Sequence, residues 1–257
     1  MVRFPDTIPS IQISDNFTLR TLTLDKQDIK CYWECYNDPS VVPFLPEDCV
    51  PKTIQNAEED IVYLNNCFQG KKTIFWAIAE LSTNNIIGTI NLHTISHYHS
   101  KAEIAYEVIK EYRGIGIAFS ACKAVLNFGF NNVGLNRIEA TTLTNNVPST
   151  CLLQKLGFNL EGVLSEYKLY REEFVDIAMF GLPFCQYNLL QSKKARGHLY
   201  NSKSTINDIR KKKLEIVQNN ITKTYKTRGV AKVSSNSKNV KYVNFASFKN
   251  YKGTANV

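Results

Sequence analysis

Apolar and polar positions change between two periods along the first 183 residues of the chain. A period of two is typical of strands, and a spacing of three to four is typical of amphipathic helices. Ile104, Tyr106 and Val108 alternate with polar or small positions, and apolar residues then recur at helical spacing from Ile117 onward. The pattern predicts a strand, a turn over residues 109–116 and a long helix.

The same reading over the whole chain predicts an α/β or α+β class with one twisted sheet. The sheet is expected to be mixed but mostly antiparallel, with about seven strands and about four flanking helices. Helices are predicted at 25–37, 53–68, 117–129 and 148–156, and strands at 17–22, 74–81, 86–95, 103–108, 136–142, 158–170 and 175–182.

The turn between the central strand and helix has the chemistry of an anion site. Gly114 and Gly116 lie just before the helix that begins near Ile117. A helix N-terminus carries unpaired N–H groups and a partial positive charge, and glycine lets a ligand approach the backbone closely. The turn suits a phosphate or pyrophosphate. The alternative is a tight turn without a ligand, since short glycine patterns are common.

Several motifs in order resemble one family. Arg113 to Ala118, read as R-G-I-G-I-A, is similar to the R/Q-x-x-G-x-G/A loop that binds the acyl-coenzyme A pyrophosphate in the GNAT N-acetyltransferases. The order of the surrounding motifs resembles the RimJ/RimL-like branch, which acetylates ribosomal-protein N-termini. These motifs lie at 19–22, 37–39, 135–140, 146–149, 155–158 and 161–162. The resemblance covers about residues 8–183.

The resemblance implies transfer of acetyl from acetyl-CoA to a primary amine by direct attack in a ternary complex, without a metal. It places Asn146 and Ser149 at the coenzyme, with Asn146 hydrogen-bonded to the pantetheine chain and Ser149 donating a hydrogen bond to the departing thiolate. By spacing alone, both residues also suit a helix N-cap. The predicted coenzyme-binding residues are Val108, Ile109, Arg113, Gly114, Ile115, Gly116, Ile117, Ala118, Asn146 and Ser149.

The general base is expected to be a carboxylate near the amine. Glu103 is the first candidate, because GNAT enzymes often place a catalytic glutamate on the strand before the phosphate turn. Glu166 is the second, on a later strand where ribosomal-protein acetyltransferases carry a base, although Lys168 stands at the closest equivalent position. For either glutamate an exposed strand carboxylate is the alternative. Asp176 is interpreted as structural or acceptor-binding.

The acceptor is predicted less sharply than the donor. Phe44 and Leu45, in the loop between the first two helices, are substrate-facing candidates by resemblance, and ordinary packed loop residues otherwise. A protein N-terminal amine is the first prediction. A small-molecule acceptor, such as an antibiotic or a polyamine, is the alternative, because one fold serves many substrates.

Charge divides the chain at about residue 183. Residues 184–257 carry 16 Lys/Arg against Asp208 and Glu215, a net charge of +14, which leaves residues 1–183 with 15 basic and 21 acidic residues and a net charge of −6. We therefore predict an acetyltransferase domain over 8–183 and a basic, largely disordered tail over 184–257 with a short helix near 206–218. The basic and aromatic residues of the tail also suit RNA or ribosome contact, and a solvated extension is the alternative.

The cysteines, the apolar runs and the histidines of the sequence indicate the cellular compartment of the protein and whether it binds a metal. Seven scattered cysteines indicate free thiols in a reducing cytoplasm, not a disulfide framework. No apolar run approaches membrane-spanning length, and residues 1–10 lack a signal-peptide pattern. His93, His97 and His99 lack a completing ligand, so no metal is predicted. A monomer or a homodimer is expected.

Overall fold

The computed structural model of the chain describes residues 2–195, which contain one sheet of eight strands. Its strands are β1 (Ile11–Gln12), β2 (Phe17–Arg20), β3 (Ile74–Glu80), β4 (Ile86–Ser96), β5 (Lys101–Val108), β6 (Arg137–Leu143), β7 (Asn159–Tyr170) and β8 (Glu173–Pro183). Its α-helices are α1 (Lys26–Tyr36), α2 (Ile54–Gln69), α3 (Ile117–Asn127), α4 (Val147–Leu156) and α5 (Phe184–Ala195). A π-helical turn, Phe128–Val133, continues α3.

The predicted fold class is confirmed. The strand order is β1-β2-β3-β4-β5-β6-β8-β7, and every neighbouring pair is antiparallel except β5 and β6. Side chains cap the first two helices: that of Asp25 accepts from the N–H of Asp28, and that of Thr53 accepts from the N–H of Asn56. These bonds satisfy backbone donors that a helix start otherwise leaves unpaired.

The folded part continues past Pro183, where the tail was predicted to begin. Helix α5 follows β8 directly, and its Tyr187 is buried with its ring centroid 4.7 Å from that of Phe130. Phe184 packs nearby on the same core. Two aromatic anchors in a polar helix leave little hydrophobic period, which is why the sequence pattern missed α5. The predicted helix near 206–218 and the tail beyond residue 195 lie outside the described residues.

The sheet packs helices on both faces. One core joins α3, α4 and α5 to alternate sheet residues, and Trp76 and Phe180 are fully buried in it. The second core joins α1 and α2 to the opposite face, through residues such as Phe75 and Ala77. Since successive strand residues point to opposite faces, the central strands β3 and β4 supply both cores. Within residues 2–195, no helix is long and apolar enough to span a membrane.

The one parallel strand pair opens the sheet. Lys101–Glu103 of β5 pair with Arg137–Glu139 of β6, and no register pair follows, although both strands continue. A cluster of charges holds the paired end: Glu139 accepts from Lys101 at 2.9 Å and from Arg137 at 2.7 Å. Beyond Glu103 and Glu139 the two strands diverge, and the gap between them is where the cavity lies.

On the other side of β5, its backbone lies unusually close to the backbone of β4. Gly88 of β4 pairs with Val108, and a Cβ built on Gly88 would lie 2.3 Å from the backbone oxygen of Glu107. Only glycine fits at this distance. The end of β5 is therefore held against β4 while its other edge is free of β6.

Candidate active site

A cavity of about 450 Å³ occupies the gap between β5 and β6. Its walls come from both sides of the sheet. Val41, Phe44 and Leu45 lie on the side of α1 and α2, and Asn146 and Ser149 lie at the start of α4 on the other side. The cavity therefore passes through the sheet, so that groups on the two faces of β5 can reach one ligand.

The glycine turn forms one end of this cavity. Gly114 and Gly116 have φ values of 81° and 90°, in the left-handed region that favours glycine, and a Cβ at either position would meet no atom within 4 Å. Gly116 is the N-cap of α3, and no side chain caps this helix. The first backbone N–H groups of α3 therefore face open space, as an anion site requires.

Most of the predicted coenzyme-binding positions lie on the cavity wall, and two do not. Ile115 is 67% exposed, and Ile109 packs between the two cores. The cavity-lining positions are Val108, Arg113, Gly114, Gly116, Ile117, Ala118, Asn146 and Ser149. The assignment of these residues to a coenzyme stays a prediction, which the shape of the cavity supports.

In addition to its predicted role as a positive charge, Arg113 makes two hydrogen bonds to backbone carbonyl oxygens. Its Nε donates to the carbonyl oxygen of Val108 at 2.7 Å, and its Nη2 donates to the carbonyl oxygen of Ser40 at 3.2 Å. The guanidinium thus ties the end of β5 to the loop after α1. A second cation that the sequence analysis missed is Lys155, whose Nζ lies 4.5 Å from the Phe119 ring centroid on the cavity wall.

Two hydroxyl groups meet on the α3 and α4 side. The Tyr106 hydroxyl lies 2.9 Å from Ser149 Oγ, in the part of the cavity lined by both residues. Burial raises the pKa of Tyr106, so the phenol stays protonated at neutral pH. The Asn146 side chain caps α4 by accepting from the N–H of Ser149 at 3.2 Å. Asn146 is therefore an N-cap that also lines the cavity, and the cap fixes the position of Ser149.

One carboxylate lines the cavity on the α1 and α2 side, and it is Glu107. Thr89 Oγ1 donates to Glu107 Oε2 at 2.8 Å. Burial raises the pKa of Glu107 to about 7, although the hydrogen bond from Thr89 favours its ionised form. Glu107 is not among the site residues predicted from the sequence. The available signal was its position, because Glu107 shares a strand face with Glu103 and lies four residues closer to the glycine turn.

The two predicted bases lie off the cavity wall. Glu103 Oε2 is 3.6 Å from His93 Nε2 at the paired end of β5. Glu166 has a φ of 50° at a bulge in β7, and its backbone N–H donates to Asp176 Oδ1 at 2.9 Å. Asp176 thus supports the bulge, and the structure does not bring it, Glu103 or Glu166 to Ser149.

The hairpin of β7 and β8 contacts the loop after α1. The Tyr170 hydroxyl donates to the carbonyl oxygen of Pro43, next to the predicted substrate-facing residues Phe44 and Leu45. Arg171 and Glu172 form its two-residue turn with φ values of 47° and 66°, a left-handed conformation reached here without glycine. In residues 2–195, no three His, Cys, Asp or Glu residues group as metal ligands.

The family of the chain follows from sequence comparison. A profile of the acetyltransferase (GNAT) domain matches residues 16–159. The chain belongs to this family and is a GNAT-type N-acetyltransferase. GNAT acetyltransferases use acetyl-CoA.

Proteins with similar sequences are named as N-acetyltransferases. An uncharacterized N-acetyltransferase, YoaA, of Bacillus subtilis is 34% identical over 154 residues, which are 60% of this chain and 85% of the relative. The uncharacterized N-acetyltransferase p20 of Bacillus licheniformis is 31% identical over 172 residues, which are 66% of this chain and 93% of the relative. A spermidine N(1)-acetyltransferase of Escherichia coli is 32% identical over 77 residues, covering 30% of this chain and 41% of that enzyme.

Solved structures share the fold. The ribosomal-protein-S5-alanine acetyltransferase of Vibrio fischeri superposes with a TM-score of 0.63 at 18% identity, covering 70% of this chain and 98% of the other. The microcin C7 self-immunity acetyltransferase MccE, solved in complex with acetyl-CoA and AMP, superposes with a TM-score of 0.61 at 20% identity, covering 67% and 95%. Identities this low show the shared fold alone.

Substitution of Gly116 by alanine tests the anion role of the turn. We expect Gly116→Ala to weaken coenzyme A binding by about tenfold or more, because the new methyl group projects into the open cradle and displaces a charge-assisted hydrogen bond. Isothermal titration calorimetry measures the affinity. Gly134→Ala is the matched control, since Gly134 has a φ of 77° outside the cavity. Both variants should lose about 1 kcal/mol of stability, and equal affinities would contradict the anion role.

Proposed function

We propose that this chain transfers the acetyl group of acetyl-CoA to a primary amine by direct attack, with Glu107 as general base and Ser149 as proton donor. The observation that carries the proposal is the cavity through the sheet, with Glu107 on one face of β5 and the hydroxyl pair of Tyr106 and Ser149 on the other. A base and an acid on opposite sides of one ligand site match attack on one side and departure on the other.

The residues of the α3 and α4 side fit the coenzyme. The open turn at Gly114 and Gly116, the uncapped start of α3 and the cation of Lys155 suit a pyrophosphate. The free edge of β5 near Val108 offers backbone groups to the pantetheine arm. Acetyl-CoA, when bound, supplies the activated thioester. Ser149 Oγ, held by the Asn146 cap and the Tyr106 hydroxyl, keeps a proton available for the leaving sulfur.

The residues of the α1 and α2 side fit the amine. A primary amine is mostly protonated at neutral pH, so a base must take a proton before attack. Glu107 lines the cavity, and its pKa of about 7 lets it receive a proton near neutral pH and release it again. Val41, Phe44 and Leu45 give the entrance an apolar wall that excludes water from the amine.

The acceptor that we propose first is a protein N-terminal amine. A putative ribosomal N-acetyltransferase, YdaF, of Bacillus subtilis supports this choice. It is 33% identical over 82 residues, covering 32% of this chain and 45% of that protein. The net charge of −6 over residues 1–183 favours the approach of a basic protein. A polyamine is the second candidate, supported by the identity with the spermidine enzyme.

Removal of the Ser149 hydroxyl should impair the chemical step. We expect Ser149→Ala to lower kcat by more than about tenfold, since the leaving sulfur loses its proton donor, with little change in coenzyme A affinity. Steady-state kinetics and calorimetry separate the two effects. Ser120→Ala is the control, because Ser120 lies on α3 outside the cavity. An unaltered kcat in Ser149→Ala would remove Ser149 from the mechanism.

Replacement of Glu107 should abolish the rise of kcat/KM with pH near neutrality. The base acts in its ionised form, so kcat/KM of the wild type should rise as the pH increases through about 7. Glu107→Gln should lose this rise and lower kcat/KM by about 100-fold at pH 8. Glu103→Gln and Glu166→Gln are the matched comparisons. A larger loss in Glu103→Gln, together with a retained pH profile in Glu107→Gln, would assign the base to Glu103 instead.

A panel of acceptors tests the transfer itself. The full chain is incubated with acetyl-CoA and peptides with free N-termini, lysine-containing peptides with blocked N-termini, spermidine or an aminoglycoside, and products are identified by mass spectrometry. We expect an acetyl group on the free N-terminus. Acetylation of spermidine alone would favour the second candidate. Absence of any product, despite coenzyme binding, would refute the proposed function.

A further inference from the structure

Three side chains form a chain of hydrogen bonds behind the cavity. Thr89 Oγ1 donates to Glu107 Oε2 at 2.8 Å, and the Tyr36 hydroxyl lies 3.1 Å from the same Thr89 oxygen. A threonine hydroxyl has one proton. Because Thr89 gives that proton to the ionised carboxylate, Tyr36 must donate its own proton to Thr89. The direction of donation therefore runs from Tyr36 through Thr89 to Glu107.

The three residues come from three separate elements. Tyr36 ends α1, Thr89 lies on β4 and Glu107 lies directly opposite Thr89 on β5. Tyr36 is 6% exposed and Thr89 is fully buried. The Tyr36 ring packs against that of Tyr32, with centroids 4.5 Å apart, and the branched side chain of Thr89 has few rotamers in a strand. Both hydroxyls are thus held in place by packing.

We infer that Tyr36 and Thr89 are positioning residues, which orient the Glu107 carboxylate toward the acceptor amine and stabilise its ionised form. The inference rests on the proposed function only in making Glu107 the base. Among the ion pairs of residues 2–195, none includes Glu107. Two neutral hydroxyls therefore supply the stabilisation that a cation provides elsewhere.

The other titratable groups near Glu107 stay uncharged near pH 7, so their titration does not overlap with that of Glu107. They are phenols and thiols, and each is neutral near pH 7 because burial raises its pKa, in the case of Cys49 to about 11. On α2, Asp60 faces Tyr32 and not Glu107. On the α1 and α2 side these groups are Tyr32, Cys35, Tyr36 and Cys49, and Tyr106 and Cys122 lie across the sheet on the α3 side.

An NMR titration of the coenzyme-free chain tests the inference without any need for activity. The protein is labelled with ¹³C at the glutamate carboxyl carbons, and Glu107→Gln identifies the Glu107 signal. We expect Thr89→Val to raise the pKa of Glu107 by about one unit, Tyr36→Phe to raise it by less, and Thr89→Ser to leave it unchanged. Thr73→Val is the matched control, since Thr73 is buried and makes no hydrogen bond to Glu107.

We expect kcat/KM at pH 7 to fall most in the variant with the largest rise in the pKa of Glu107. A rise of one unit from about 7 leaves about fivefold less ionised Glu107 at pH 7. kcat/KM for Thr89→Val should fall by about that factor at pH 7 and recover at higher pH, with coenzyme A affinity unchanged. Thr89→Ser should behave as the wild type. A purely structural role for Thr89 would lower kcat/KM at all pH values without moving the profile.

The outcomes separate the inference from the proposed function. An unchanged Glu107 titration in both Thr89→Val and Tyr36→Phe overturns the inference, whether or not the chain acetylates an amine. If Thr89→Val does not fold, Tyr36→Phe decides, because it leaves β4 intact. The expected titration shifts in a chain that acetylates no acceptor would support the inference and refute the proposed function.

Discussion

The early separation of β5 and β6 is the constraint on which the site depends. Two adjacent parallel strands normally exchange hydrogen bonds along their shared length, but here the pairing covers three residues and the strands then diverge. Charges at the paired end and the close approach of Gly88 to the other edge of β5 hold this geometry. An opening through a sheet places both of its faces on one cavity, which neither a closed sheet nor a surface cleft can do.

The electrostatics of the cavity differ between its two sides. Toward α3 and α4, the uncapped helix start and Lys155 present partial and full positive charge. Toward α1 and α2, Glu107 is surrounded by neutral phenols, thiols and a threonine hydroxyl. The first side suits a polyanionic coenzyme. The second side keeps a carboxylate poised between its two protonation states, because burial and hydrogen bonding act on it in opposite directions.

The features that could be predicted from the sequence depend on interactions between residues that are close along the chain. The glycine turn and the position of Ser149 at a helix start depend on residues within a few positions of one another. Which carboxylate lines the cavity depends on distant residues. Glu103 and Glu107 are alike in sequence, and only the partners across the sheet distinguish them: His93 for the first, and Thr89 with Tyr36 for the second. Helix α5 was missed because its two aromatic anchors leave almost no period.

The sequence by itself determined the order of the elements from β2 to β8, the fold class, the glycine turn before α3 and the family, since periodicity, turn residues and ordered motifs are properties of neighbouring positions. Tertiary structure decided which carboxylate faces the cavity and what holds it. Tyr36 and Thr89 are 53 residues apart, and Thr89 and Glu107 are 18 apart. Their contact requires α1, β4 and β5 to pack together, and no local pattern records where two strands of a sheet cease to pair.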